Sequence, residues 1–461
     1  MKVDMSEHFT VGGLLRFTVP SIAMMIFTSI YTIVDGLFVS NFAGKTAFAS
    51  LNFIYPFVLI LGTLGFMMGT GGSAIVARVR GEGDDERANS YFSFLVYAAI
   101  VFGVIASVFG LIFVRPVAVL MGATPGEMLE DCVMYGSILL VALPAFVLQY
   151  AFQSFFMTAG KPNLGFAFTV AGGVVNIVLD AILIAGLGMG LMGAAIGTAL
   201  GMVVGGFGPI IYFARPNTSF LRLGRTKFNG RVLGRTCING SSEMVTNIAM
   251  SVVSIVYNVQ LMNFIGEDGV SAYGVIMGVS MIFSGVFIGY SVGAAPLMSF
   301  QYGAGKPKEM HSIFTKSIRL ICIFGVCMFL LAEASSGFLA QIYVGYDEGL
   351  YNLTTMALRI FSIAFLLMGF NIYGSSLFTS LNNGAISAII SFLRSFVFEI
   401  GSVLLLPVIF GPNGIWFSVV VAEIASFTLT IIFELKFGNR YGFLHGEIRK
   451  KAEAKAEAQG K

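Results

Sequence analysis

Apolar residues run in long blocks along this chain, and polar residues collect in the gaps between them. The blocks span residues 14–39, 51–77, 91–113, 132–158, 164–186, 191–213, 237–263, 271–299, 313–335, 352–380, 385–409 and 414–436. A helix rises about 1.5 Å per residue, so roughly 18 apolar residues in helical form cross a ~30 Å hydrocarbon layer. Each block meets that length, which predicts twelve transmembrane helices and an all-α polytopic membrane fold. Most connections are short. The exception is 214–236, which is polar and reads as a linker between halves. The expected organisation is an N-lobe over 1–213, the linker, a C-lobe over 237–440 and a charged tail over 441–461.

A faint internal repeat supports two homologous halves. Asn41-Phe42-Ala43-Gly44 matches Asn263-Phe264-Ile265-Gly266, a shift of 222 residues. Gly71 and Gly293 keep the same register, as do Gly81-x-Gly83 and Gly303-x-Gly305. Near the end of each half, Gly190-x-x-Gly193 matches Gly411-x-x-Gly414, shifted by 221. Six spans per half is an even number, so both halves enter the membrane from the same side. The repeats are then parallel, related by a pseudo-two-fold axis along the membrane normal, an arrangement common among secondary transporters.

Composition agrees with the pattern. Of 461 residues, 56% are hydrophobic and 11% charged, against about 25% charged in a soluble domain. The 56 glycines suit helices that must pack closely without a hydrophobic drive between them. A net charge of +3 implies no nucleic-acid partner. Cys132, Cys237, Cys322 and Cys327 lack metal-ligand spacing and read as packing residues. Pro20 and Asp35 interrupt the first block, and no small-residue cleavage pattern follows it, so it reads as a retained span. Lys and Arg divide 23 against 3 between the two sides, with Arg394 left inside a block. By the positive-inside tendency, both termini and the linker are expected to be cytoplasmic, in a cell (inner) membrane.

Charges inside a bilayer cost about 3 kcal/mol or more, so those that remain tend to work or to pair. Asp35, Asp180, Glu243, Arg394, Glu399 and Glu423 fall within blocks. Counting helical rise places Asp180, Asn176 one turn before it, Thr198 on the next span and Asp35 near the end of span 1 at similar depth, in the outer half of the N-lobe. Two carboxylates, an amide and a hydroxyl form a hard-oxygen set suited to a small cation or a proton. No intramembrane Lys or Arg is available to them in that half. Arg394 on span 11 and Glu423 on span 12 reach a common depth and are expected to pair. Glu243, in the first third of span 7, is a candidate second acidic site. Pro20 frees a backbone carbonyl and marks span 1 for a bend, static or moving.

With these residues in view, the sequence resembles the multidrug and toxic compound extrusion (MATE) family, within the multidrug/oligosaccharidyl-lipid/polysaccharide flippase superfamily. The resemblance rests on Pro20 through Gly36 (PSIAMMIFTSIYTIVDG), on Asn176-x-x-x-Asp180 with the segment from Gly186 to Gly197, on Gly81-x-Gly83, and on the six-plus-six layout. It implies a V-shaped pair of six-helix lobes exporting lipophilic, often cationic compounds in exchange for Na⁺ or H⁺. It also implies that Asp35, Asn176, Asp180 and Thr198 form the N-lobe cation site, binding the metal ion if coupling is to Na⁺. Glu243 is similar to an acidic position that some members carry in span 7. Some members also have an acidic residue in span 10, where this chain has Asn371; that departure favours coupling in the N-lobe.

Two other readings compete. A flippase for lipids or lipid-linked oligosaccharides tends to line its cavity with several basic residues, and only Arg394 lies deep here. An intramembrane aspartyl protease needs a Gly-x-Gly-Asp element, but Asp35 and Asp180 follow Ile33-Val34 and Val178-Leu179. There is no His-Glu-x-x-His and no nucleotide-binding loop, so neither an enzyme nor an ATP-driven pump is expected. The expectation is a monomer in contact with membrane lipid, with no cofactor beyond the transported ion.

Overall fold

The computed structural model describes residues 5–446; the tail from Glu447 onward lies outside the described residues. No strand occurs among the described residues. That is what a chain of apolar blocks must do in lipid, where every backbone polar group has to be satisfied within its own segment.

Twelve spans follow one another: α1 (Val11–Ala43), α2 (Lys45–Gly81), α3 (Asp85–Leu120), α4, α5 (Pro162–Gly186) and α6 (Gly190–Ala214) in the first half, then α7 (Gly230–Phe264), α8 (Glu267–Gly303), α9 (Pro307–Val344), α10, α11 (Gly384–Phe410) and α12 (Asn413–Tyr441). Two spans are broken. α4 joins Glu127–Val141 to Leu143–Thr158 through a 55° bend, and α10 joins Glu348–Ser362 to Phe365–Ser380 through 48°. Both breaks lie inside unbroken apolar sequence, which hides them from hydropathy. Pro144 at the start of the second α4 segment gives one of them a cause. Pro20, by contrast, sits within a continuous α1.

Several helices run past the apolar blocks. α7 begins at Gly230, with Asn229 capping it at Val232 N, 3.1 Å. The last seven residues of the polar 214–236 stretch are therefore helical, because a helix can project beyond the membrane while its sequence turns polar. The rest of that stretch is strapped to α3: Arg222 N donates to Asn89 Oδ1 at 2.7 Å, Gly224 N to Ser93 Oγ at 3.0 Å, and Thr226 Oγ1 to Ser90 O at 2.9 Å. Buried Arg80 adds a cation–π contact to Phe220, 3.9 Å from its ring centroid.

Each half has its own core. In the first, the α4 phenylalanines Phe152, Phe155 and Phe156 stack with Phe92 and Phe213. In the second, Phe287 and Phe365 pack with Phe361 and Tyr257. The lobes meet along α1 with α8 and along α2 with α7 and α8. Ser21 Oγ donates to Gly289 O at 2.7 Å, Ser29 Oγ to Met281 O at 3.1 Å, and Ser299 Oγ to Ala74 O at 2.6 Å.

The repeat is visible in this seam. Gly81 abuts the Phe300 carbonyl, and Gly303 abuts the Arg78 carbonyl, so that any Cβ at either glycine would land on the opposing oxygen. Shifting 78 and 81 by 222 gives 300 and 303. This is the reciprocal contact of an isologous interface, realised within one chain. The seam is tight at the arginine-rich end. Toward the other end the packing is looser at two positions: a Cβ at Gly274 or Gly278 of α8 would meet nothing within 4 Å. The cysteines divide. Cys132 is buried, but Cys322 and Cys327 are exposed on α9, so these two do not pack in the protein interior as expected; their side of the helix faces outward.

Candidate functional site

The site in the first lobe exists because α5 and α6 approach at backbone distance. Gly172 and Gly201 face each other, and a Cβ on either would press on the other's carbonyl. One turn further along, Gly197 leaves room for the Asp180 carboxylate, whose Oδ1 a Cβ there would strike. Asn176 Nδ2 donates to Thr198 Oγ1 at 3.2 Å. Asp35 approaches from α1 as an electrostatic neighbour of Asp180, Asn176 and Thr198. The four residues thus come together from three helices. Directly after Asp180 the helix widens into a π-wound segment, Ala181–Gly186, and α1 does the same over Val39–Ala43. Such widening is frequent at functional sites.

Several oxygens here lack a protein partner. Both carboxylate oxygens of Asp180, Oδ1 of Asp35, Oδ1 of Asn176 and Oε1 of Gln149 are buried with no hydrogen bond from the chain. Buried oxygens of this kind are costly to leave unsatisfied. They adjoin a cavity of 450 Å³ lined by Asp35, Asn176, Thr198 and Gln149 together with Tyr31, Tyr55 and Tyr135, and no Lys or Arg lines it among the described residues. A cluster rich in oxygens, two of its groups carboxylates, is fitted to a proton or a small hard cation. Sequence reasoning missed the three tyrosines and Gln149, since an aromatic residue in an apolar block carries no signal of which way it faces.

The second lobe holds a different arrangement. Arg394 Nη2 lies 2.6 Å and its Nε 3.1 Å from Glu423 Oε1. Asn371 Nδ2 donates to Glu423 Oε2 at 2.5 Å and to the Glu423 carbonyl at 3.0 Å. Asn371 therefore serves as a hydrogen-bond partner of an acid rather than as an acid itself. Arg394 and Glu399 both lie in a π-wound segment, Leu393–Glu399, near its two ends. Glu243, Glu399, Glu423 and Arg394 all line one cavity of 250 Å³ between the lobes, together with Met250 and Tyr273 of the second half and Met25, Phe66 and Ser154 of the first. Three carboxylates against one guanidinium leave this cavity acidic in character. Pro20 does not line it; it sits on the seam side of α1, next to Ser21, whose Oγ donates to Gly289 O. Glu434, near the end of α12 beside Gly374, also went unnoticed in the sequence because it lies at the edge of its block.

Comparison with known proteins agrees with the fold. The chain is 24% identical over 412 residues to the multidrug export protein MepA of Staphylococcus saprophyticus, covering 89% of this chain and 90% of that protein. It is 24% identical over 435 residues to MepA of Staphylococcus haemolyticus, covering 94% and 95%. Among solved structures, the fold matches an outward-facing multidrug resistance MATE family transporter of the MOP superfamily with a TM-score of 0.87, at 21% identity, over 94% of this chain and 96% of that one. The family model MatE matches twice, once in each half, over residues 20–182 and 244–404. On that evidence of sequence and fold, the chain belongs to the MatE family of multidrug exporters.

Proposed function

We propose that this chain is a cation-coupled antiporter that exports lipophilic, often cationic organic compounds, driven by inward movement of Na⁺ or H⁺ through the N-lobe site. The observation that carries the reading is the group of buried, unpartnered oxygens on Asp35, Asn176, Asp180 and Gln149. Asp35, Asn176, Asp180 and Thr198 are the residues that would hold the coupling ion. The names of the MepA relatives supply the export of drugs; orientation, with termini and linker cytoplasmic, rests on the basic asymmetry.

The mechanism follows from the double duty of α1. Asp35 belongs to the ion site, and Ser21 and Ser29 on the same helix hold the seam through Gly289 O and Met281 O. Charge neutralisation at Asp35 and Asp180 changes how α1 sits against α5 and α6, and that change is transmitted to the seam. A ligand shifts a conformational equilibrium only by its differential affinity for the two states. Ion binding must therefore favour the arrangement in which the N-lobe cavity is compressed and the substrate expelled. The acidic cavity between the lobes offers positive substrates a complementary surface and disfavours anionic lipid-linked cargo.

The test is efflux of a fluorescent organic cation from proteoliposomes, first under an imposed Na⁺ gradient and then under an imposed pH gradient. Efflux that depends on one of the two gradients is expected. Efflux indifferent to both would overturn coupling.

A further inference from the structure

The internal repeat predicts that what stands on one edge of the seam has a counterpart on the other. At the basic end the two edges differ. On the α1–α8 edge, the segment before α1 fills the crevice: Met5 and Phe9 are buried against Phe300 and Phe314. Gln301 Nε2 donates to Met5 O at 2.7 Å, and Lys316 Nζ donates to Phe9 O at 2.5 Å. The 222-residue shift puts 227–231 where 5–9 stand, and there the sequence is Lys227 to Arg231 rather than apolar. The corresponding crevice on the α2–α7 edge is a cavity of 680 Å³.

Four arginines line it: Arg78 and Arg87 from the first lobe, Arg231 and Arg235 from α7. The acids facing them are few. Glu82 takes Arg78 at 3.1 Å and Arg87 at 2.5 Å, and Asp84 lies 3.5 Å from Arg87. Arg231 and Arg235, one helical turn apart on the same face, have no ion-pair partner among the described residues. Asn239 and Asn382 add polar groups from the second lobe. Beside the cavity, Phe228 and Ile238 are 81% and 61% exposed, apolar side chains at the level where spans leave the membrane.

We infer that this cavity binds the phosphate of an anionic phospholipid headgroup, which bridges the two lobes and holds the basic-face seam closed. Guanidinium groups pair with phosphate oxygens in planar, two-bond geometry, and basic pockets beside membrane spans suit anionic headgroups. The exposed Phe228 and Ile238 give the acyl chains an apolar path away from the site. Because the arginines come from both lobes, parting them at this end pulls the phosphate's partners away from each other. The ligand therefore prefers the closed seam and shifts the equilibrium toward it. The inference concerns the seam alone and holds whichever ion drives transport.

The experiment uses the full chain with its four native cysteines replaced and Ala304→Cys added, since Ala304 sits at the Gly81 contact of the seam. Alkylation of that cysteine is timed in nanodiscs, where both faces are reachable. Adding phosphatidylglycerol to phosphatidylcholine discs should slow alkylation about three- to tenfold. Arg231→Gln with Arg235→Gln should abolish the slowing, while Arg225→Gln with Lys227→Gln, an equal loss of charge just outside the cavity, should preserve it. Inorganic phosphate added to phosphatidylcholine discs should have no effect; slowing there, sensitive to Arg231 and Arg235, would reassign the site to a soluble anion and overturn the lipid. Equal alkylation in every disc, or slowing that survives Arg231→Gln with Arg235→Gln, overturns the site itself. Native mass spectrometry of the lipid-bound chain gives a readout independent of labelling, with retained phosphatidylglycerol expected to fall in the same variant.

Discussion

Arg394 reaches from α11 to Glu423 on α12, with 2.6 Å between Nη2 and Oε1, and both side chains are largely buried in the second lobe. Removing one partner strands the other in a poor solvent. Arg394→Ala should lower stability by about 3–5 kcal/mol, read as a lower melting temperature and a smaller monodisperse fraction in detergent. Adding Glu423→Gln should restore part of the loss, because Gln keeps an acceptor for Asn371. A double variant no better than the single one would show that the pair is not what stabilises this lobe.

Asp35 and Asp180 are neighbours, with no basic partner among the described residues. Asp35→Asn should cut gradient-driven efflux by about tenfold or more, the scale of a coupling free energy, at equal membrane expression and unchanged folding. Asp180→Asn should do the same or weaken efflux strongly. Wild-type efflux in Asp35→Asn would move coupling elsewhere, with Glu243 the next group to vary.

The seam at the basic face is made by Gly81 against the Phe300 carbonyl and by Gly303 against the Arg78 carbonyl. A valine at either glycine should destabilise closure there by about 1–3 kcal/mol. Cysteine alkylation at position 304 should then rise about five- to 150-fold, since 1.4 kcal/mol is tenfold. The two variants should behave alike, because the contacts are related by the repeat. A large effect at one and none at the other would mean that the seam is not symmetric in energy.

Topology can be checked in a cysteine-replaced chain. A cysteine at Tyr346, 83% exposed between α9 and α10, should react with an impermeant maleimide added outside intact cells. One at Phe228, 81% exposed in the linker, should react only after the cells are opened. The reverse pattern would invert the orientation.

The twelve spans were legible because each apolar block is long enough to cross a bilayer, and the two-lobe arrangement because glycines at a shift of 222 sit where backbones touch. Gly81 and Gly303 carried that signal: a residue that must leave space cannot drift. The bends at Ala142 and near Ile363 were not legible, since apolar residues continue through both. Asp35, Asn176, Asp180 and Thr198 stood out as polar groups at a common depth, and they do adjoin. Tyr31, Tyr55 and Tyr135 did not stand out, because a tyrosine on an apolar helix reads the same whether it faces lipid or a cavity. The arginines around the α2–α7 crevice looked like an ordinary basic face. Only the filled crevice on the opposite edge, with Met5 and Phe9 in it, marks theirs as open.

A seal in which glycine lies against a peptide carbonyl has no side chain that can swing aside. At Gly81 and Gly303 the opposing carbonyls of Phe300 and Arg78 already accept from Ala304 N and Glu82 N, so what parting the surfaces loses is close packing, which no side chain there can refill. Such a closure has no slack. In the antiport proposed above, it would resist the small, frequent openings through which ions leak down their gradient between transport cycles. A carrier that must hold back the membrane potential while its cargo side varies in shape gains from a gate built of main chain, because substitutions around the substrate cavities leave that gate untouched.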